Sequence, residues 1–308
     1  MTGALRRACI VGSCALGFAA CSSASNSIVK SSPGAHAPLA PATPAPAVAA
    51  DLLAACPATA PFSALRTVAR VTNPDDIAVA PDGTFWVTDA ATTLTHVSAS
   101  GTVLGSIDDR RAPEGVVTLA SGTLLLAEQG ADRVVALNPA THSESTLIQL
   151  TPRAGVDGVD GIGIDASQAN MLVPDSANGT LLSVSLQSGA VMRLASNLGR
   201  PVSAAITSDG AYLVAAENAR GLLRVPAGGG TATPVGSISD ADDVLVSGGI
   251  AYVTSLSAGE VSAVDVATGR ARILVTGVST PQGLARAADG TLLLADSQSG
   301  RIVSLRGC

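Results

Sequence analysis

The sequence predicts an all-β fold of six like units closed into a six-bladed β-propeller, and three observations carry that expectation. One short phrase recurs six times: a turn into an apolar strand, a tight turn, then a second strand ending in an acid or its stand-in. The copies run Pro74-Asp75-Asp76-Ile77 to Val87-Thr88-Asp89, Pro113-Glu114-Gly115-Val116 to Leu126-Ala127-Glu128, and Val159-Asp160-Gly161-Ile162 to Val173-Pro174-Asp175. They continue as Pro201-Val202-Ser203-Ala204 to Ala215-Ala216-Glu217, Ala241-Asp242-Asp243-Val244 to Val253-Thr254-Ser255, and Pro281-Gln282-Gly283-Leu284 to Leu294-Ala295-Asp296. The steps between second positions are 39, 46, 42, 40 and 40 residues, the length of one four-stranded blade. Within each copy, apolar residues alternate or run briefly between Asp-Gly, Ser-Gly and Pro, which marks strands and turns and not helices.

The chain opens with Arg6 and Arg7, an apolar run from Ala8 to Phe18, and then small residues. That order predicts a secretory signal peptide over residues 1–20, too short for a membrane span. The run closes on Phe18-Ala19-Ala20-Cys21, which resembles the lipobox of bacterial lipoproteins and implies lipidation of Cys21. Residues 21–50 are rich in Ser, Ala and Pro, including Pro33, Pro38, Pro41, Pro44 and Pro46, and have almost nothing to bury. They read as a disordered, extended tether. Ser22 carries no retention aspartate, so the expected location is a bacterial envelope, at the outer membrane or cell surface, with the folded domain outside the cytoplasm.

Residues 51–308 form the propeller. Pro81-Asp82-Gly83, Ser208-Asp209-Gly210 and Ala288-Asp289-Gly290 occupy the same turn after the first strand. Third strands follow, as in Arg133–Leu137 and Arg301–Leu305, and fourth strands, as in Val191–Leu194 and Arg272–Val275. The sixth copy stops after its third strand. Its missing fourth is expected at the other end of the domain, in Phe62–Arg70, which removes the open edges. Cys9 and Cys14 leave with the signal peptide and Cys21 carries lipid, so Cys56 and Cys308 remain. Both flank the closing strands, and an isolated pair in an oxidising compartment predicts a disulfide.

All 24 acidic residues of the chain lie in this domain with 15 of its 18 basic ones, a balance of −9. Nucleic acid is excluded as a partner on that charge. Contact with the membrane is expected through the lipid and tether alone, and the domain is expected to be a monomer.

In a propeller the innermost strand lines the channel, so the repeated acids converge on one face. The first ring is Asp75, Glu114, Asp160, Val202, Asp242 and Gln282; the second is Asp89, Glu128, Asp175, Glu217, Ser255 and Asp296. Acids of the second ring sit at strand ends, where they accept turn N–H bonds. Four carboxylates around one mouth repel each other and need raised pKa values, an Arg or a cation. Glu114, Asp160 and Asp242, with Asp75, are therefore candidate ligands of a divalent cation. Oxygen-only ligands suit Ca²⁺ before Mg²⁺ or Mn²⁺.

The Pro-x-Gly-apolar, Asp-Gly and Ala-Asp pattern resembles NHL repeats and the six-bladed senescence marker protein and gluconolactonase family, over about residues 62–308. In that family a Glu, an Asn and an Asp hold a divalent metal, and the Asp assists attack of water on a lactone. The resemblance implies these roles for Glu114, Asp160 and Asp242, with Asp242 the catalytic residue if the chain is a lactonase. Asp160 stands where Asn is usual, and Asp243 where Gly is common. The streptogramin lyase family shares the fold, but His96 and His142 fall on outer or loop segments, away from its catalytic His. Phosphate-loop, Gly-x-Ser-x-Gly and His-Glu-x-x-His motifs are missing from the sequence. The leading expectation is thus a membrane-anchored propeller serving as a platform for a protein or small ligand, and the alternative is a metal-dependent hydrolase of lactones or related esters.

Overall fold

In a computed structural model of the protein, residues 51–217 and 220–308 are described, and they form six four-stranded antiparallel sheets. The signal peptide, Cys21 and the tether lie outside the described residues. The first blade comprises Ile77–Val79, Phe85–Thr88, Thr93–Val97 and Val103–Asp108, and the next four repeat its order. The sixth has Pro281–Arg286, Thr291–Asp296 and Arg301–Arg306, with Arg66–Arg70 from the start of the domain as its outer strand. Arg66 pairs opposite Ser304 and Arg70 opposite Arg301. The architecture is the six-bladed β-propeller that the sequence predicts.

Two details go beyond that expectation. The closing strand is shorter, because Phe62–Ala64 form a 3-10 turn that seats Phe62 in the core. Ahead of it, Ala60–Pro61 add a fifth, parallel strand to blade 5, pairing with Val275 and Thr276. The segment from Asp51 to Leu65 therefore straps the outside of blade 5 before it closes blade 6.

The hydrophobic core is divided into six clusters, one in each seam between neighbouring blades. Trp86, Leu94, Val116 and Leu124 fill the seam between blades 1 and 2, and Leu172, Leu181, Ala204 and Val214 that between blades 3 and 4. The seam between blades 5 and 6 also takes Leu53, Cys56 and Phe62 from the strap. There the disulfide Cys56–Cys308 joins the two ends, with Cα atoms 4.1 Å apart, and the Tyr252 hydroxyl accepts the backbone N–H of Cys308 at 2.9 Å. Inner strands start at the acidic mouth of the channel. Third strands end, and fourth strands begin, on the opposite face, so the disulfide sits on the face away from the mouth. A disulfide between ends 252 residues apart fits an oxidising compartment outside the cytoplasm.

Candidate metal centre

Four of the inner strands begin with an irregularity, a skip of one residue at Val202 in blade 4 and of two residues in blades 2, 5 and 6. The ladder to the second strand skips between Pro113 and Val116, between Ala241 and Val244, and between Pro281 and Leu284. The residues bulged out are Glu114-Gly115, Asp242-Asp243 and Gln282-Gly283, the repeated dipeptide itself. A bulge of this kind breaks the alternation of a strand and re-aims its side chains.

The second residue of each dipeptide links its blade to a neighbour. Val116 N–H of blade 2 donates to Asp76 Oδ2 of blade 1 at 2.8 Å, and Gly115 N–H to the Asp160 carbonyl at 3.1 Å. Gly161 N–H donates to the Val202 carbonyl at 2.7 Å, and Ser203 Oγ to Asp243 Oδ1 at 2.6 Å. Leu284 N–H donates to Asp243 Oδ2 at 2.6 Å, and Gly283 N–H to the Asp75 carbonyl at 2.9 Å. Six blades are thereby joined by an unbroken circle of hydrogen bonds. Strands this close leave no room for a side chain at three of these places: a Cβ on Gly115 would lie 2.6 Å from the Asp160 carbonyl oxygen, one on Gly161 2.7 Å from that of Val202, and one on Gly283 2.5 Å from Asp76 Oδ1.

The first residue of the dipeptide supplies the acids. Ligating oxygens of Asp75, Glu114 and Asp160 all lie within 4.8 Å of one another. Asp242 is not one of this trio, although it lines the same narrow space and its charge opposes theirs. Arg200, from the start of the blade 4 inner strand, donates Nη2 to Asp160 Oδ2 at 3.1 Å and pairs through Nη1 with Glu217. Gln129 Nε2 donates to Glu114. Arg200 and Gln129 were not singled out by the repeat, since each reaches the site from a different blade or loop.

Burial dominates the electrostatics here. It pushes Glu114 up to about 11, aided by repulsion from Asp160 and Asp75, and Asp160 up to about 6 against the pull of Arg200. Asp75 and Asp242 are held well above the usual carboxylate range by burial first and by the Asp160 charge second. The sign for stability follows. Between 4.5 and about 11 the folded Glu114 keeps a proton that the unfolded chain has lost, so the cation-free domain loses stability as pH rises through that window. A hard cation held among these oxygens would take the place of that proton and offset the penalty. Four carboxylates, one buried and three half-buried, with a single guanidinium bonded to one of them and only oxygen to offer, could hold a divalent ion.

The second ring divides by neighbour. Asp89 accepts the N–H groups of Ala91, Thr92 and Thr93 at 3.0, 2.8 and 2.8 Å, and Asp296 those of Ser279 and Thr280, as turn-fixing carboxylates. Asp175 accepts from Asn178 N–H at 3.3 Å. Glu128, fully buried, instead takes the guanidinium groups of Arg111, at 2.9 Å, and Arg133. Glu217 takes Arg200, and Ser255 donates its hydroxyl to the Ser239 carbonyl.

No protein-family model matches the sequence, and no curated protein matches it. Solved structures do. The chain is similar to regucalcin, a calcium-binding protein from Agrobacterium tumefaciens, at 16% identity and a TM-score of 0.66, over 82% of this chain and 97% of that one. It is similar to a gluconolactonase from Xanthomonas campestris at 13% identity and a TM-score of 0.62, over 77% and 86%. Virginiamycin B lyase from Staphylococcus aureus matches at 14% identity and a TM-score of 0.59, over 76% and 80%. At these identities the likeness is one of fold.

Proposed function

We propose that the protein is an extracytoplasmic propeller that holds one divalent cation, Ca²⁺ by its ligand set, at the channel mouth and uses that face as a platform for a small ligand or partner protein. The observation that carries this is the meeting of Asp75, Glu114 and Asp160, drawn from three blades, at one point on the axis. In this reading Gln129 orients Glu114, and Arg200 holds Asp160 and neutralises part of its charge. The folds of regucalcin and the gluconolactonase support it by analogy only.

One feature favours a second reading, hydrolysis of lactones or related esters. Asp242 stands beside the trio without belonging to it, as suits a base next to a metal. A divalent ion supplies polarisation of a carbonyl oxygen. Asp242 would accept the proton of a water adding to the acyl carbon and return it to the ring oxygen as the acyl carbon–oxygen bond breaks.

Calorimetric Ca²⁺ titration at pH 5.5 and 7.5, run beside a panel of lactones, tests both. Binding should be tighter at the higher pH, with protons released on binding. Ion at one hundred times its Kd should add about 2.7 kcal/mol, which raises the melting temperature by roughly 5–10 °C. Glu114→Gln should weaken binding and leave the fold intact. No Ca²⁺-dependent shift at millimolar metal defeats both readings; binding without lactone turnover leaves the platform alone.

Lipidation of Cys21 is part of the same proposal, resting on the apolar run and small residues before it. Cys21→Ser should release the protein from the membrane fraction of expressing cells. An equally firm membrane association would overturn it.

A further inference from the structure

The channel has two compartments of opposite character. At the acidic mouth the free space is about 20 Å³, room for an ion or a single water and little else. Below the level of Asp76 and Asp243 it widens into a cavity of about 420 Å³, within the range that holds small ligands. The wide compartment reaches the turns of the opposite face, because Ala166 and Arg286 belong to its lining. At its inner end Asp76, Ile162, Ser203 and Asp243 border both compartments. Asp76 and Asp243 there spend both their carboxylate oxygens on Ile77, Val116, Ser203, Val244 and Leu284, so the floor asks for no further partner.

Its walls follow from the repeat. Three positions beyond the second residue of each dipeptide stand Val79, Thr118, Ile164, Ile206, Val246 and Arg286, one from each blade. Four are aliphatic and one carries a charge. Arg286 is exposed at the outer end, where its Nη1 meets only the Ser247 hydroxyl, and no carboxylate lies within ion-pair distance of it among the described residues. The Thr118 hydroxyl likewise has no partner among the described residues. The aliphatic side chains of this ring offer water few hydrogen bonds, and an alkyl chain laid against them removes apolar surface of both from water.

We propose that this lower channel is a binding site for a free single-chain alkyl carboxylate, its head group on Arg286, which reaches outward from the ring it shares with Val79, Ile164, Ile206 and Val246, and its tail running inward past that ring. The six inner strands close the tube on every side, so a ligand enters end-on, tail first. That geometry favours one free chain over a two-chain lipid held in a bilayer. The matched charge at the rim favours a carboxylate over an alcohol of the same length. The site shares no ligand with the cation proposed above, since Asp75, Glu114 and Asp160 are not among its lining residues.

Calorimetry with dodecanoate below its micelle concentration, and with dodecanol for comparison, tests this on the folded domain. Wild type should bind dodecanoate in the micromolar range. Arg286→Ala should weaken dodecanoate about tenfold or more and leave dodecanol nearly unchanged. Ile206→Trp, which fills the tube, should abolish both; if that variant does not fold, Val79→Phe serves instead. Glu114→Gln should have no effect. The proposal fails if dodecanoate does not bind, if Arg286→Ala binds it as wild type does, if Glu114→Gln removes the binding, or if only phosphatidylglycerol vesicles are bound.

Discussion

Replacing Cys56 or Cys308 by Ser is expected to lower the stability of the domain by up to roughly 5 kcal/mol, the chain-entropy value for so long a loop. The crosslink spans 252 residues, and every blade lies inside it. Without it the domain still closes, because Arg66–Arg70 remain paired with the third strand of blade 6. What changes is the unfolded chain, which regains the freedom that the crosslink removes. Loss of Cys56 also empties a place in the seam between blades 5 and 6, where its side chain is 6% exposed. Urea unfolding of wild type with and without reductant, beside each Ser variant, measures the effect. An unchanged midpoint in both would show that the closing strand alone sets the stability of the ring.

The second large effect is expected at Asp243. Asp243→Ala removes the acceptor of three hydrogen bonds, leaves Ser203 Oγ and the Leu284 N–H without one in a crowded throat, and leaves the Val244 N–H only its 3.4 Å contact with Ser203 Oγ. Each stranded donor costs about 1–3 kcal/mol, so the variant should lose about 3 kcal/mol or more. Asp243→Asn should be milder, since it keeps one carbonyl oxygen and relieves repulsion with Asp76. The adjacent Asp242→Asn is the contrast, because there the charge is opposed by its neighbours and its loss should cost little stability. Thermal and urea unfolding of the three variants decide it. An Asp243→Ala domain that melts like wild type would mean that the circle of hydrogen bonds at the axis is not what holds neighbouring blades together.

The contrast between these two adjacent aspartates marks where the sequence stops speaking. Repeat length, turn residues and the missing fourth strand are properties of spacing, so the six blades, their closure and the cysteine pair could be read directly. The first residues of the dipeptides could also be read as a ring, and the structure gathers Asp75, Glu114 and Asp160 from it. Which of Asp242 and Asp243 faces the mouth and which ties blades together depends on the bulge between Ala241 and Val244, and no spacing rule shows the turn of a bulge. Thus Asp76 and Asp243 gave no signal as inter-blade acceptors. Arg200 was hidden for another reason: Glu217, 17 residues after it, faces it across one ladder of its own blade, but Asp160, 40 residues before it, meets it only once the blades stack. The strap at Ala60–Pro61 is two residues long and too short to carry a pattern.

The clasp also decides what a cut would do. Residues 56 to 308 form a covalent loop, made of backbone and one sulfur–sulfur bond. A single peptide bond severed in any turn of the six blades turns that loop into one open chain with new ends, and does not split it in two. The severed ends stay beside each other, held by the strands on either side and by the seams. Shedding a fragment therefore takes two events, proteolysis and reduction. In an oxidising compartment the second is the rarer, and a nicked propeller keeps its face.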